Sequence, residues 1–358
     1  MKLAPESTNR IPDNELNQKM FDDKPTMASR IGTFLLMGLS LFSSACGAQS
    51  RPTGVSDSEL NAIQRLEQVY DEASSSGDAA AQLVLASELS TDSISSVNEV
   101  YDAAKKSGDV SATLTLLATV TGKSISEINQ MYEDAAGADE SSVNLIVAAL
   151  ISGNTIHRMN YLYHQASGSG IASSLLVLAS QLNGMGIDKA NQLYEGTAGA
   201  SETSALLVLG SALTGKSIAK MNALYHEADT SGTRAAYLAI YAALYGRSIS
   251  EVNELFNKAN ETSEASLMLT QAALISGRSI QEINFLEDQL SSWSATDGTA
   301  AVVLNQIVLE GLNNDVKFEI LPILYRVRAG KSSVSHVTPI FVPNRLERSA
   351  GGLKLVIK

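Results

Sequence analysis

A chain of 358 residues that is 44% hydrophobic but only 5% aromatic must build its interior from Ala, Leu, Ile and Val packed at close range. A net charge of −12, from 26 Lys and Arg against 38 Asp and Glu, leaves no broad basic footprint of the kind nucleic acid requires. The single cysteine, Cys46, excludes an intramolecular disulfide and an all-cysteine metal site.

From the N-terminus, residues 1–26 are polar and carry acids, which suits a disordered extension or a misassigned start. Met27 begins a better signal, because Ala28, Ser29 and Arg30 lead directly into the apolar run from Ile31 to Phe42 and the small residues Ser43, Ser44 and Ala45. A run this short does not span a bilayer core of about 30 Å, so 27–45 is expected to be a signal peptide. With Cys46 directly after the small residues, the segment resembles a bacterial lipoprotein signal, although Ser43 stands where that family usually has leucine. The resemblance implies lipidation at Cys46, and Gly47 resembles members sorted to the outer membrane. Cleavage after Ala45 or Ala48 instead gives a periplasmic or secreted protein, and 46–55 reads as a linker.

Residues 93–278 are six tandem copies of one 31-residue unit without insertion. A degenerate copy, Ala62 to Asp92, precedes them, and another begins at Ser279 before losing register between Ser291 and Gly298. The span 56–314 is therefore an all-α repeat domain of about eight helix-turn-helix units. Within a unit, Ile at position 2 (Ile94, Ile125, Ile156, Ile187, Ile218, Ile249) and apolar residues at positions 5, 8, 9 and 12 describe one helical face. Ser124 with Glu127, Ser248 with Glu251 and Ser279 with Glu282 have capping-box spacing. A Gly/Ser/Asp/Thr break separates this first helix from a second that is nearly free of charge, as an inner layer must be. Glycine at position 30 in all six copies (Gly122, Gly153, Gly184, Gly215, Gly246, Gly277) closes each unit. Stacked hairpins of this kind resemble tetratricopeptide and pentatricopeptide arrays in architecture, with a different period and without their signature residues. At about 8–10 Å between neighbouring helices, eight units in a row are expected to run roughly 70–80 Å.

Three columns are candidates for function. Position 6 is asparagine in seven units: Asn98, Asn129, Asn160, Asn191, Asn222, Asn253 and Asn284. Propensity does not explain this, since asparagine is a mediocre helix former. The column either bonds backbone of the adjoining unit or forms an exposed ladder for an extended peptide, resembling that of armadillo-type solenoids. Position 9 (Tyr70, Tyr101, Tyr132, Tyr163, Tyr194, Tyr225, Phe256) is expected to pack between units, with a stacking platform as the alternative. Position 10 (Asp71, Asp102, Glu133, His164, Glu195, His226, Asn257) is a mainly acidic stripe. His157, His164 and His226 lack a third ligand at metal spacing, and no phosphate loop, nucleophile elbow or zinc-protease motif occurs.

After Asn314 the period stops. Residues 315–358 form a basic cap or tail, with 310–358 carrying +4 against −16 for the rest. Val316 to Val327 suits a short capping segment, whereas Ser333 to Val342 and Gly351 to Lys358 alternate like strands. The expectation is an exported, non-enzymatic scaffold without cofactor, anchored to the outer membrane through Cys46, that binds a protein or peptide. An accessory or catalytic role in peptidoglycan processing is the alternative. Nucleic-acid binding by analogy to pentatricopeptide arrays conflicts with the charge and the export signal.

Overall fold

The computed structural model describes residues 52, 53, 55, 57–90, 92–259 and 264–290, and six short strands between 318 and 355. The extension 1–26, the signal 27–45 and Cys46 lie outside the described residues. The described array is all-α. Its hairpins are α1 (Asp57–Asp71) with α2 (Gly77–Ser90), α3 (Ile94–Asp102) with α4 (Gly108–Thr121), α5 (Ile125–Asp134) with α6 (Glu140–Ser152), and α7 (Ile156–Gln165) with α8 (Ile171–Leu182). They continue as α9 (Ile187–Glu195) with α10 (Glu202–Thr214), α11 (Ile218–His226) with α12 (Gly232–Tyr245), and α13 (Ile249–Lys258) with α14 (Glu264–Ser276), ending on α15 (Ile280–Leu290).

Odd-numbered helices begin where position 1 places them. The hydroxyls of Ser93, Ser124, Thr155, Ser217 and Ser248 each accept the backbone N–H three residues on, and Ser124–Glu127, Ser248–Glu251 and Ser279–Glu282 are reciprocal capping boxes. Every position-30 glycine has φ between 61° and 68°, a left-handed conformation that ends the even helix at little cost only when Cβ is absent. Position 16, which turns the chain into the even helix, also needs positive φ. Gly108, Gly170 and Gly232 supply it, but Asp139 (φ 42°) and Ser201 (φ 48°) adopt it with a side chain attached.

The even helices are the inner layer. In α6 every residue from Glu140 to Leu150 is buried, and in α10 every residue from Thr203 to Ser211. Each even helix packs on neighbouring even helices and on the odd helices that flank it in sequence. This layer is less purely apolar than its lack of charge suggests. Thr113 donates to Gln82 (2.9 Å), Asn144 to Ser174 (3.0 Å) and Tyr241 to Gln271 (3.2 Å), so neighbouring inner helices are joined by buried polar rungs.

One expectation fails. The array is not drawn out into a row, because α15 comes back against α1. Neighbouring even helices approach one another more closely than neighbouring odd helices do, so each hairpin is a wedge. Gly210 illustrates the closeness, since a Cβ there would lie 2.6 Å from Ile240 Cγ1 and 2.8 Å from Met221 Cε. Beyond the array the described tail residues are extended, including part of the segment read as a cap. Strands β1 (Phe318–Leu321), β2 (Leu324–Tyr325), β3 (His336–Val337), β4 (Ile340–Pro343), β5 (Leu346–Ser349) and β6 (Gly352–Leu355) pair antiparallel as β1 with β4, β2 with β3 and β5 with β6.

Candidate functional site

The asparagine column turns inward. Each amide reaches back to the turn that follows the preceding odd helix, where its Oδ1 accepts the N–H at position 13 and its Nδ2 donates to the carbonyl at position 11. Asn191 accepts from Ser167 N (2.8 Å) and donates to Gln165 O (2.9 Å); Asn253 accepts from Asp229 N (3.1 Å) and donates to Glu227 O (2.9 Å). Asn98, Asn129, Asn160 and Asn222 repeat both bonds, and Asn284 donates to Lys258 O. Asn129, Asn253 and Asn284 are buried, and Asn98, Asn160, Asn191 and Asn222 are partly so. A primary amide is the side chain that fits here, because only asparagine and glutamine offer a donor and an acceptor side by side. Asparagine has the shorter reach.

Tyrosines at position 9 pack against the core; the Tyr101 hydroxyl donates to Ser75 of the preceding unit (3.3 Å), and that of Tyr132 to Asp139 of its own (3.2 Å). Burial, with the Asp139 carboxylate adding to it, pushes the Tyr132 phenol up to about 12. Position 10 is exposed at every described unit. It makes occasional links across the units, Lys105 to Glu133 (2.6 Å) and Asn257 to Asp229 (2.9 Å). His157, His164 and His226 are exposed, and among the described residues no group of three or more His, Cys, Asp or Glu could hold a metal ion. No described helix is long and apolar enough to cross a membrane.

What the sequence columns missed is position 4. In three units it is the capping-box glutamate: Glu127, Glu251 and Glu282. Hydrogen bonds from the backbone N–H groups of Ser124 and Ser248 hold the Glu127 and Glu251 carboxyls below their usual range. In the three consecutive units between them the residue is Arg158, Lys189 or Lys220, each exposed in the first turn of its helix. A cation there forgoes the box and opposes the helix dipole, an arrangement disfavoured by about 0.3–1 kcal/mol per helix. The signal was available, since position 4 can be read down the units as position 6 was.

Lys216 and Arg247, which precede the odd-helix caps, extend the same rim. Lys216, Lys220 and Arg247 line a groove of about 420 Å³ floored by Leu224 and Ala243, with Glu227 at its side. In the next groove along, Glu251 takes the place of Lys220. Arg158 lies over the ring of Tyr161 at 5.1 Å, and Tyr161, 51% exposed, is the one exposed large hydrophobic residue among those described.

The chain matches no protein-family model and no curated protein.

Proposed function

We propose that this chain is an exported helical-repeat scaffold, anchored to the outer membrane through a lipidated Cys46, that binds a protein or peptide on the outer surface of its array. The observation that carries the binding reading is the division of labour between columns. Positions 2, 6, 9 and 30 are nearly constant and are spent on packing, clamping and helix ends, whereas the exposed residues of the odd helices change from unit to unit. A scaffold needs a constant frame, and specificity needs variable exposed positions. The asparagine column belongs to the frame, since its amides already hold neighbouring backbone.

The export reading rests on the 27–45 segment and its resemblance to lipoprotein signals. Two measurements test the proposal. Wild type should take up labelled fatty acid and partition into detergent, and Cys46→Ser should do neither. A wild type that is unlabelled and aqueous contradicts the anchor. Pull-down from solubilised envelopes with the full-length chain as bait should enrich one defined partner over a bait denatured before use, and equal recovery with both contradicts binding by the folded array.

A further inference from the structure

We infer that the rim formed by Arg158, Lys189, Lys216, Lys220 and Arg247, with Tyr161 beside it, is the contact surface for an acidic, extended peptide segment of a partner. This rests on the peptide-binding reading above and names its surface and the partner's chemistry. Four observations converge. The basic residues occupy consecutive units of a chain whose net charge is −12, so they run against the overall sign. Three of them replace a glutamate that the same position uses elsewhere for capping, and consistency between local rule and fold breaks most often where function requires it. Among the described residues Arg158, Lys189, Lys216 and Lys220 form no ion pair; Lys189 donates only to Gln192 (2.7 Å), and the exposed acid nearest it in sequence is Asp188. Finally, Tyr161 and Arg158 form an exposed aromatic–guanidinium pair, the residue types most enriched at interface hot spots.

The spacing selects the ligand. Outer helices set at least about 10 Å apart place Arg158 and Lys220 roughly 20 Å or more from each other, which an extended chain at about 3.3 Å per residue covers in about six residues or a few more. Carboxylates spaced along such a segment meet one cation per unit, and an apolar side chain between them can rest on Tyr161 or on the Leu224–Ala243 floor. The acidic surface of the rest of the array repels the same peptide, which favours this rim over its neighbours on the array.

The test uses the full-length chain and fluorescein-labelled hexaglutamate, followed by anisotropy, with hexalysine as control. Hexaglutamate should bind and weaken as salt is raised, while hexalysine should not bind at this rim. The triple variant Arg158→Glu, Lys189→Glu, Lys220→Glu should bind hexaglutamate at least about tenfold more weakly, because three exposed attractions become repulsions. Its thermal midpoint should be unchanged or higher, because Thr155 and Ser217 then face a glutamate three residues on. That retained fold makes the loss of binding interpretable, and Tyr161→Ala supplies a second variant that leaves the charges intact. Equal binding by wild type and triple variant, or no binding by wild type at low salt, overturns the inference. So does binding to phosphatidylglycerol vesicles with none to hexaglutamate, which assigns the rim to a membrane surface. A partner recovered in the pull-down that the triple variant still captures leaves the scaffold reading standing and places its surface elsewhere.

Discussion

Asn253→Ala removes a side chain that is 6% exposed and strips two bonds from the turn behind it, leaving the Asp229 N–H and the Glu227 carbonyl without their amide. Each bond lost from this largely buried amide costs about 1 kcal/mol or more, and alanine returns about 0.5 kcal/mol in helix propensity. The expected net loss is about 2 kcal/mol. At Asn191, where the amide is only partly buried, water can replace it and the loss should be about 1 kcal/mol. Asn191→Asp is the sharper probe: one carboxylate oxygen still accepts from Ser167, but the other faces the Gln165 carbonyl, acceptor against acceptor. It should destabilise more than alanine at pH 7 and recover towards pH 3, where a protonated oxygen can donate. Urea unfolding followed by circular dichroism at both pH values measures all three. Losses within about 0.5 kcal/mol at both positions, with Asp no worse than Ala, would refute the clamp.

Ser201→Gly should stabilise the array by about 1 kcal/mol, because it relieves a side chain held at φ 48°, and an unchanged melting midpoint contradicts that strain. Gly210→Ala should destabilise by about 1–3 kcal/mol, since the new methyl meets Ile240 and Met221 inside van der Waals contact; a neutral result by thermal melting means that the inner helices part easily. The Glu127 and Glu251 carboxylates are depressed from 4.5, so their contribution is present above that pH and lost as pH falls through the folded value. The gap in thermal midpoint between wild type and Glu127→Gln, Glu251→Gln should therefore shrink on acidification from pH 7 to pH 3, and a constant gap contradicts the linkage.

Much of the fold was legible because the chain prints the same unit six times. Ile94 and its repeats marked the buried face, Ser124 with Glu127 marked a helix start, and Gly122 with its repeats marked the ends. Position 6 stood out for the same reason, though its two meanings differ only in which way an amide turns, and that depends on where the neighbouring turn lies. The return of α15 to α1 was not legible: it depends on how much more closely neighbouring inner helices approach than outer ones, through contacts such as that at Gly210. Asp139 and Ser201 hid a positive φ because neither residue type announces one. The rim cations escaped because each, taken singly, looks like an ordinary solvated side chain. Only the column of Glu127, Arg158, Lys189, Lys220 and Glu251 shows the change of sign.

The most direct test of the account places a photoreactive benzophenone residue at position 161, in place of Tyr161, and irradiates intact envelopes. The rim reading predicts one discrete adduct, mapped by mass spectrometry to an acidic segment of a single partner, and its disappearance when Arg158, Lys189 and Lys220 are also changed to Glu. The same probe at position 95, on the exposed face of α3, should give none. No adduct at position 161, or equal adducts from both positions, would contradict it.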